Sequence, residues 1–113
     1  MDNEKFRELA VTRMGECLSV LTAKNVEYSR GGDKLHNFKR AGAKLGCSPA
    51  RALLGMKSKH DVSVDDLVAD MERGDIPSRE MVAEKIGDSI NYLLLLEGII
   101  EEARGEEGGC EPL

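Results

Sequence analysis

Two long stretches of this chain, residues 4–27 and 78–104, repeat their apolar residues at helical spacing, and together they dictate a helical frame. In the first, Phe6, Leu9, Ala10, Cys17, Leu18 and Leu21 recur with Met14 between them. Glu4, Lys5, Arg7, Glu8, Arg13 and Glu16 fill most of the other side. In the second, Met81, Val82, Ile86, Ile90, Leu93, Leu94 and Ile100 make a broad apolar side behind Ser78, a good N-cap. Shorter helices fit between these two. Residues 34–45 place Leu35, Phe38, Ala41 and Leu45 on one face and end at Gly46, which suits a C-cap. Ser48-Pro49 opens a helix to about His60 that buries Ala52, Leu53 and Met56. Ser63-Val64-Asp65-Asp66 reads as a further start, giving a helix over 64–73 that Gly74 ends. The expectation is an all-α, single-domain bundle of four to five helices over residues 1–104, with residues 105–113 a disordered tail.

Composition narrows the class of function. The 113 residues are 41% hydrophobic but only 4% aromatic, so the core is aliphatic. A net charge of −5 weighs against coating nucleic acid, which needs a basic face to displace counterions. It leaves room for a local basic pocket, and a negative protein that handles phosphates commonly recruits a divalent cation. Cys17, Cys47 and Cys110 are odd in number and lack CxxC spacing, as expected of reduced thiols in a cytoplasmic protein, with Cys17 and Cys47 buried. The N-terminus, MDNEKFRE, has no apolar signal region. The run Ile90–Ile100 is broken by Asn91, Glu97 and Gly98 and falls far short of the roughly 20 residues that span a bilayer. Leu93 to Leu96 are consecutive and cannot all face one neighbour, so either this helix is central or a second copy covers it in a homo-oligomer.

Three constellations carry chemistry. On the last helix Glu84, Asp88 and Asn91 fall at i, i+4 and i+7 and share a stripe, with Tyr92 four residues beyond Asp88. Two carboxylates one turn apart repel by a few tenths of a kcal/mol, which a cation, a lysine or water must offset. As hard oxygen ligands they suit Mg²⁺; the plainer reading is a solvated acidic face. Asn91 precedes a long apolar run, so its amide enters the core and needs a partner there. Gly87 costs roughly 1 kcal/mol relative to Ala, tolerable where a backbone or ligand comes close. The second constellation is Lys57, Lys59 and His60, expected at a helix end, where they either complement the macrodipole or contact a phosphate. The third is the segment 24–40. Lys24, Arg30, Lys34, Lys39 and Arg40 surround Gly31-Gly32, with Asp33 placed to cap the next helix. It reads either as a polar connection held down by Phe38 or as a phosphate-facing loop; the P-loop spacing is absent.

The order KNxxY, GDxxxNF, KHxxS and ExxxDxxNYLxLL, running from Lys24 to Glu101, resembles small phage and prophage proteins of the MazG-like or nucleotide-modification-associated type. These belong to, or sit near, the all-α NTP pyrophosphatase superfamily. The resemblance implies an oligomeric all-α protein that hydrolyses a (deoxy)nucleoside triphosphate to the monophosphate and pyrophosphate with Mg²⁺ or Mn²⁺. It implies Glu84 and Asp88 as metal ligands and catalytic groups, with His60 beside them. Lys24, Tyr28, Asp33, Asn37, Lys59 and Asn91 would bind the substrate. The fuller family pattern carries an EExxE motif on one helix and ExxD on another. Here residues 49–60 contain no acid and the position three before Asp88 is Lys85, leaving Asp33, Glu27 or Asp61 to complete the set. A non-catalytic nucleotide-binding or regulatory protein is the alternative.

Overall fold

The computed structural model describes residues 1–28 and 32–106, and of residues 24–28 and 106 the backbone only. Four helices make up the described residues: α1 (Asn3–Tyr28), α2 (His36–Leu45), α3 (Pro49–Glu72) and α4 (Arg79–Glu106). The all-α bundle is as expected. Its punctuation follows the sequence closely. Gly46 takes the left-handed conformation, φ 72°, at the end of α2. Ser48 Oγ accepts from the Arg51 N–H at 3.1 Å, and Pro49 follows at the first helical position. Gly74, φ 88°, closes α3, with the Asp75 N–H donating to the Asp70 carbonyl at 2.9 Å. Ser78 Oγ caps α4 by accepting from the Met81 N–H at 3.1 Å.

One expected boundary is absent. Residues 49–72 form a single helix, so the start signal at Ser63 is not used. Ser63 Oγ instead accepts nothing from a new first turn; it donates back to the Lys59 carbonyl at 3.1 Å, one turn earlier. Lys57 pairs with Asp61 across one turn at 2.5 Å, and Leu67 is buried beyond it. Tertiary burial of Leu67 thus carries the helix through a segment of modest propensity. As a result Lys57, Lys59 and His60 sit mid-helix, and the macrodipole reading of that cluster fails.

The core is small. Leu35, Phe38, Leu53 and Ile99 form it, with Ala50, Tyr92, Leu95 and Leu96 packed around, and Leu53 alone is wholly enclosed. It lies where α2, α3 and the C-terminal half of α4 meet. The α2–α3 corner is tight: a Cβ on Gly42 would stand 2.8 Å from the Cys47 carbonyl oxygen and 3.1 Å from the Pro49 nitrogen. α1 packs beside α4, where Cys17 is buried against Gly87, its Sγ 3.8 Å from the Gly87 carbonyl. Burial pushes the Cys17 thiol up, so it stays protonated and unreactive. A Cβ on Gly87 would lie 3.7 Å from that sulfur, an ordinary contact, so the approach at Gly87 is by α1 and is not tight.

Several residues expected inside are exposed: Phe6, Leu9, Met14 and Leu18 of α1, Leu45 and Cys47 at the α2–α3 corner, and Met56 at the edge of α3. On α4, Leu95 and Leu96 pack against the core while Leu93 and Leu94 do not. No helix among the described residues is long and apolar enough to cross a membrane. Of residues 105–113, expected as a disordered tail, Gly105 and Glu106 instead continue α4, and residues 107–113 lie outside the described residues.

Candidate functional site

A cleft of about 580 Å³ opens between the end of α1, the outer face of α2, and the facing sides of α3 and α4. Each helix contributes by simple periodicity. On α2, Asn37, Arg40, Ala41 and Lys44 share one stripe, because Phe38 and Gly42 turn to the core. On α3, Met56, Lys59 and His60 face the cleft because Ala52 and Leu53 are drawn inside. On α4, Asp88, Asn91, Tyr92 and Leu95 point in, apolar and polar groups spread over about two turns. Lys34, just ahead of α2, completes the rim and ties to α1 by donating to the Leu21 carbonyl at 2.7 Å.

The electrostatics are lopsided. Lys34, Arg40, Lys44 and Lys59 line the cleft, and Asp88 is the one carboxylate that lines it among the described residues. In a chain of net charge −5 this is a concentrated basic site. Its wall is aromatic. Tyr92 stands edge-on to Phe38, with ring centroids 6.1 Å apart, and His60 lies over Tyr92 at 4.8 Å. His60 Nδ1 is 3.7 Å from Asp88 Oδ2, near enough for electrostatic pairing but too far for a direct hydrogen bond.

Among the described residues Asn91 is the one polar residue buried as a whole, only 7% exposed, and its Oδ1 has no hydrogen-bond partner there. Sequence patterning requires a partner for this amide, and for its oxygen none is supplied within the described residues. Ser89 Oγ is also buried without a partner, but it does not line the cleft. An acceptor left bare inside a protein costs about 1–3 kcal/mol. Asn91 lines both this cleft and a smaller one of about 370 Å³ on the α1 side, so its amide sits between the two.

The smaller cleft carries the carboxylates. Asp88 lines it too, with Glu84 from α4 and Glu16 and Arg13 from α1. Glu16 is held by Arg13, and Glu84, its side chain 62% exposed, faces Lys85 at 3.7 Å. Among the described residues no group of three or more His, Cys, Asp or Glu side chains converges closely enough to hold a metal ion. Two carboxylates remain compatible with Mg²⁺, which keeps most of its waters and takes its other ligands from a phosphate chain.

Asn37, Lys59, His60, Asp88 and Asn91, singled out in the sequence, therefore come together in one cleft. Glu84 joins Asp88 only on the neighbouring one. Asp33 does not reach either. Its carboxylate accepts from Lys39 at 2.8 Å and from the Leu35 N–H at 2.9 Å, and Lys39 also pairs with Glu102. Asp33 is thus a structural link from the start of α2 to the end of α4. The Lys39 hydrogen bond holds its carboxyl below the ordinary range, and Asp33 and Glu102 raise the Lys39 ammonium in turn. The Lys24 and Tyr28 side chains lie outside the described residues. Lys44 is a cleft residue that the sequence alone did not single out, and Arg40, read there only as part of the basic segment 24–40, joins it. The signal was their spacing from Asn37, at i+3 and i+7 on one helix. Comparison of the chain with family models, curated proteins and solved structures finds no match, so the site is read from its own geometry.

Proposed function

We propose that the larger cleft binds a nucleoside polyphosphate, with the phosphates on its basic rim and the base toward Tyr92 and Phe38. The observation that carries this is the pairing of four cations with an aromatic wall around about 580 Å³, in a protein that is otherwise acidic. The size is that of a small-molecule site. Arg40 supplies a planar fork for phosphate oxygens, and Lys44 and Lys59 supply point charges. The orphaned Asn91 oxygen is an acceptor for an N–H or O–H of the bound molecule. Such a protein belongs in the cytoplasm, where nucleotides are abundant and the exposed Cys47 stays a thiol.

A second reading is hydrolysis of a (deoxy)nucleoside triphosphate to the monophosphate and pyrophosphate. What favours it is the position of Asp88, which lines both the cationic cleft and the one carrying Glu84 and Glu16. Glu84 and Asp88 are the groups that would hold Mg²⁺ or Mn²⁺, and the ion would supply charge neutralisation and an activated water. His60, beside Asp88, is placed to exchange a proton with a group in the cleft. The resemblance to MazG-like proteins supports this reading.

One experiment separates the two. The protein is titrated calorimetrically with a panel of NTPs and dNTPs, with and without Mg²⁺, and pyrophosphate is assayed in parallel. Binding without release supports the binder. Release that vanishes in Asp88→Ala while the helical spectrum persists supports the hydrolase. Lys44→Glu should weaken binding at least tenfold in either case, since one charge-assisted contact is worth about 1.5–3 kcal/mol. No binding of any nucleotide would overturn both readings.

A further inference from the structure

We infer that residues 110–113 of this chain fold back onto the corner where α2, α3 and the end of α4 meet, and fill the groove there. This does not depend on the ligand reading. The groove, about 460 Å³, is walled by Leu35 ahead of α2, Pro49 and Ala50 of α3, and Ile99, Ile100 and Ala103 of α4. Leu35 and Lys39 line it from the side of α2 opposite Asn37, Arg40 and Lys44, so it is distinct from the basic cleft. Its polar groups already serve the fold. Lys39 bonds Asp33 and pairs with Glu102, and Ser48 Oγ accepts from the Arg51 N–H. What remains is apolar, with Ile100 49% exposed and Ala103 exposed beside it. The groove therefore suits a short apolar segment rather than a polar ligand.

The chain itself delivers such a segment. Ile99 to Ala103 belong to the last two turns of α4, which runs to Glu106, so the sequence EGGCEPL that follows starts beside the groove. Gly108-Gly109 is a strong turn signal. Ala103 lies only about 4.5 Å back along the helix from Glu106. The four residues from Glu106 to Cys110 reach up to about 13 Å, enough to reverse and return. Pro112 restricts Glu111 before it to extended backbone. With three residues per turn in that conformation, Cys110 and Leu113 fall on one face, about 9 Å apart. The α4 wall from Ile99 to Ala103 is about 6 Å long, so two such anchors match its scale. An extended proline-containing segment forms no internal hydrogen bonds and keeps its backbone solvated at the groove mouth. Proline also lowers the entropy lost on docking.

Charge agrees with this occupant. The first turn of α3 forms one wall and contains no acid, and Arg51 in that turn is exposed. Glu111, between the two apolar anchors, brings the negative charge that a helix start favours. The segment by itself has little to bury; the groove supplies the apolar surface that it lacks.

The test is nuclear magnetic resonance on the full isotope-labelled chain at two concentrations tenfold apart. The Leu113 methyls should show contacts to Ile100 and Ala103, and the amides of residues 110–113 should carry the positive heteronuclear NOE of ordered backbone. Both should vanish in Ala103→Arg, which blocks the groove from an exposed position of α4, and in Leu113→Asp, which alters only the segment. Glu111→Lys should lower the docked-to-free ratio about two- to fivefold, the worth of one charge at a helix end. An unaltered chain without these contacts overturns the inference. So do contacts that survive both blocking substitutions, or a ratio that Glu111→Lys leaves unchanged. Contacts that grow with concentration also overturn it, since they would put the segment of a second copy in the groove.

Discussion

Replacing Asn91 with leucine should make the ligand-free protein more stable and weaken its ligand binding. The two side chains share a branched skeleton, so Leu fills the Asn volume with methyl groups. Asn91 is 7% exposed and its Oδ1 is unpartnered among the described residues, so the present state carries a desolvation cost of about 1–3 kcal/mol. Leucine removes that cost and adds a few tenths of a kcal/mol of helix propensity. In a domain of this length, 1 kcal/mol moves the melting temperature by roughly 4 °C. The expected rise is therefore about 4–12 °C, read by thermal circular dichroism without ligand. The same variant, titrated with the tightest-binding nucleotide of the panel, should lose at least tenfold in affinity, because the amide contact is gone. A melting temperature that falls would refute the reasoning, since it would mean that the amide is satisfied and structural. Unchanged affinity would refute the assignment of Asn91 to the ligand.

Two further expectations follow from the packing and the charges. Gly42→Ala should cost about 1–3 kcal/mol in urea unfolding, because the new Cβ meets the backbone of Cys47 and Pro49 and neither is the free end of a side chain; an unaltered midpoint would show that the α2–α3 corner relaxes freely. Asp33 has a lowered carboxyl pKa, set first by its hydrogen bond from Lys39, so its contribution to stability is present above the ordinary value of 3.8 and is lost as pH falls through the lowered one. Lys39, raised above its ordinary value of 10.5, contributes fully below that value and loses its share only as pH rises through the higher one. A carboxyl NMR titration should place Asp33 below 3.8, and Lys39→Met should return it upward; an Asp33 that titrates at 3.8 or above would show that the link to Lys39 does not form.

What the sequence by itself determined was everything that depends on neighbours a few residues apart. Helical class, the caps at Ser48 and Ser78, the stops at Gly46 and Gly74, and the burial of Cys17, Leu53 and Phe38 follow from local hydrogen bonding and period. The gathering of Asn37, Lys59, His60, Asp88 and Asn91 was legible as types and spacings, although not as one place. Tertiary structure decided the rest, because it alone sets which side of each helix meets which neighbour. It carried α3 through Ser63, by burying Leu67 beyond it. It drew Asp33 away from the cleft to Lys39, added Arg40 and Lys44 to the basic rim, and turned Glu84 outward to Lys85. It also left the apolar stripe of α1 and α4 bare, which no helical period could show, since periodicity places residues on a face but says nothing of what covers that face.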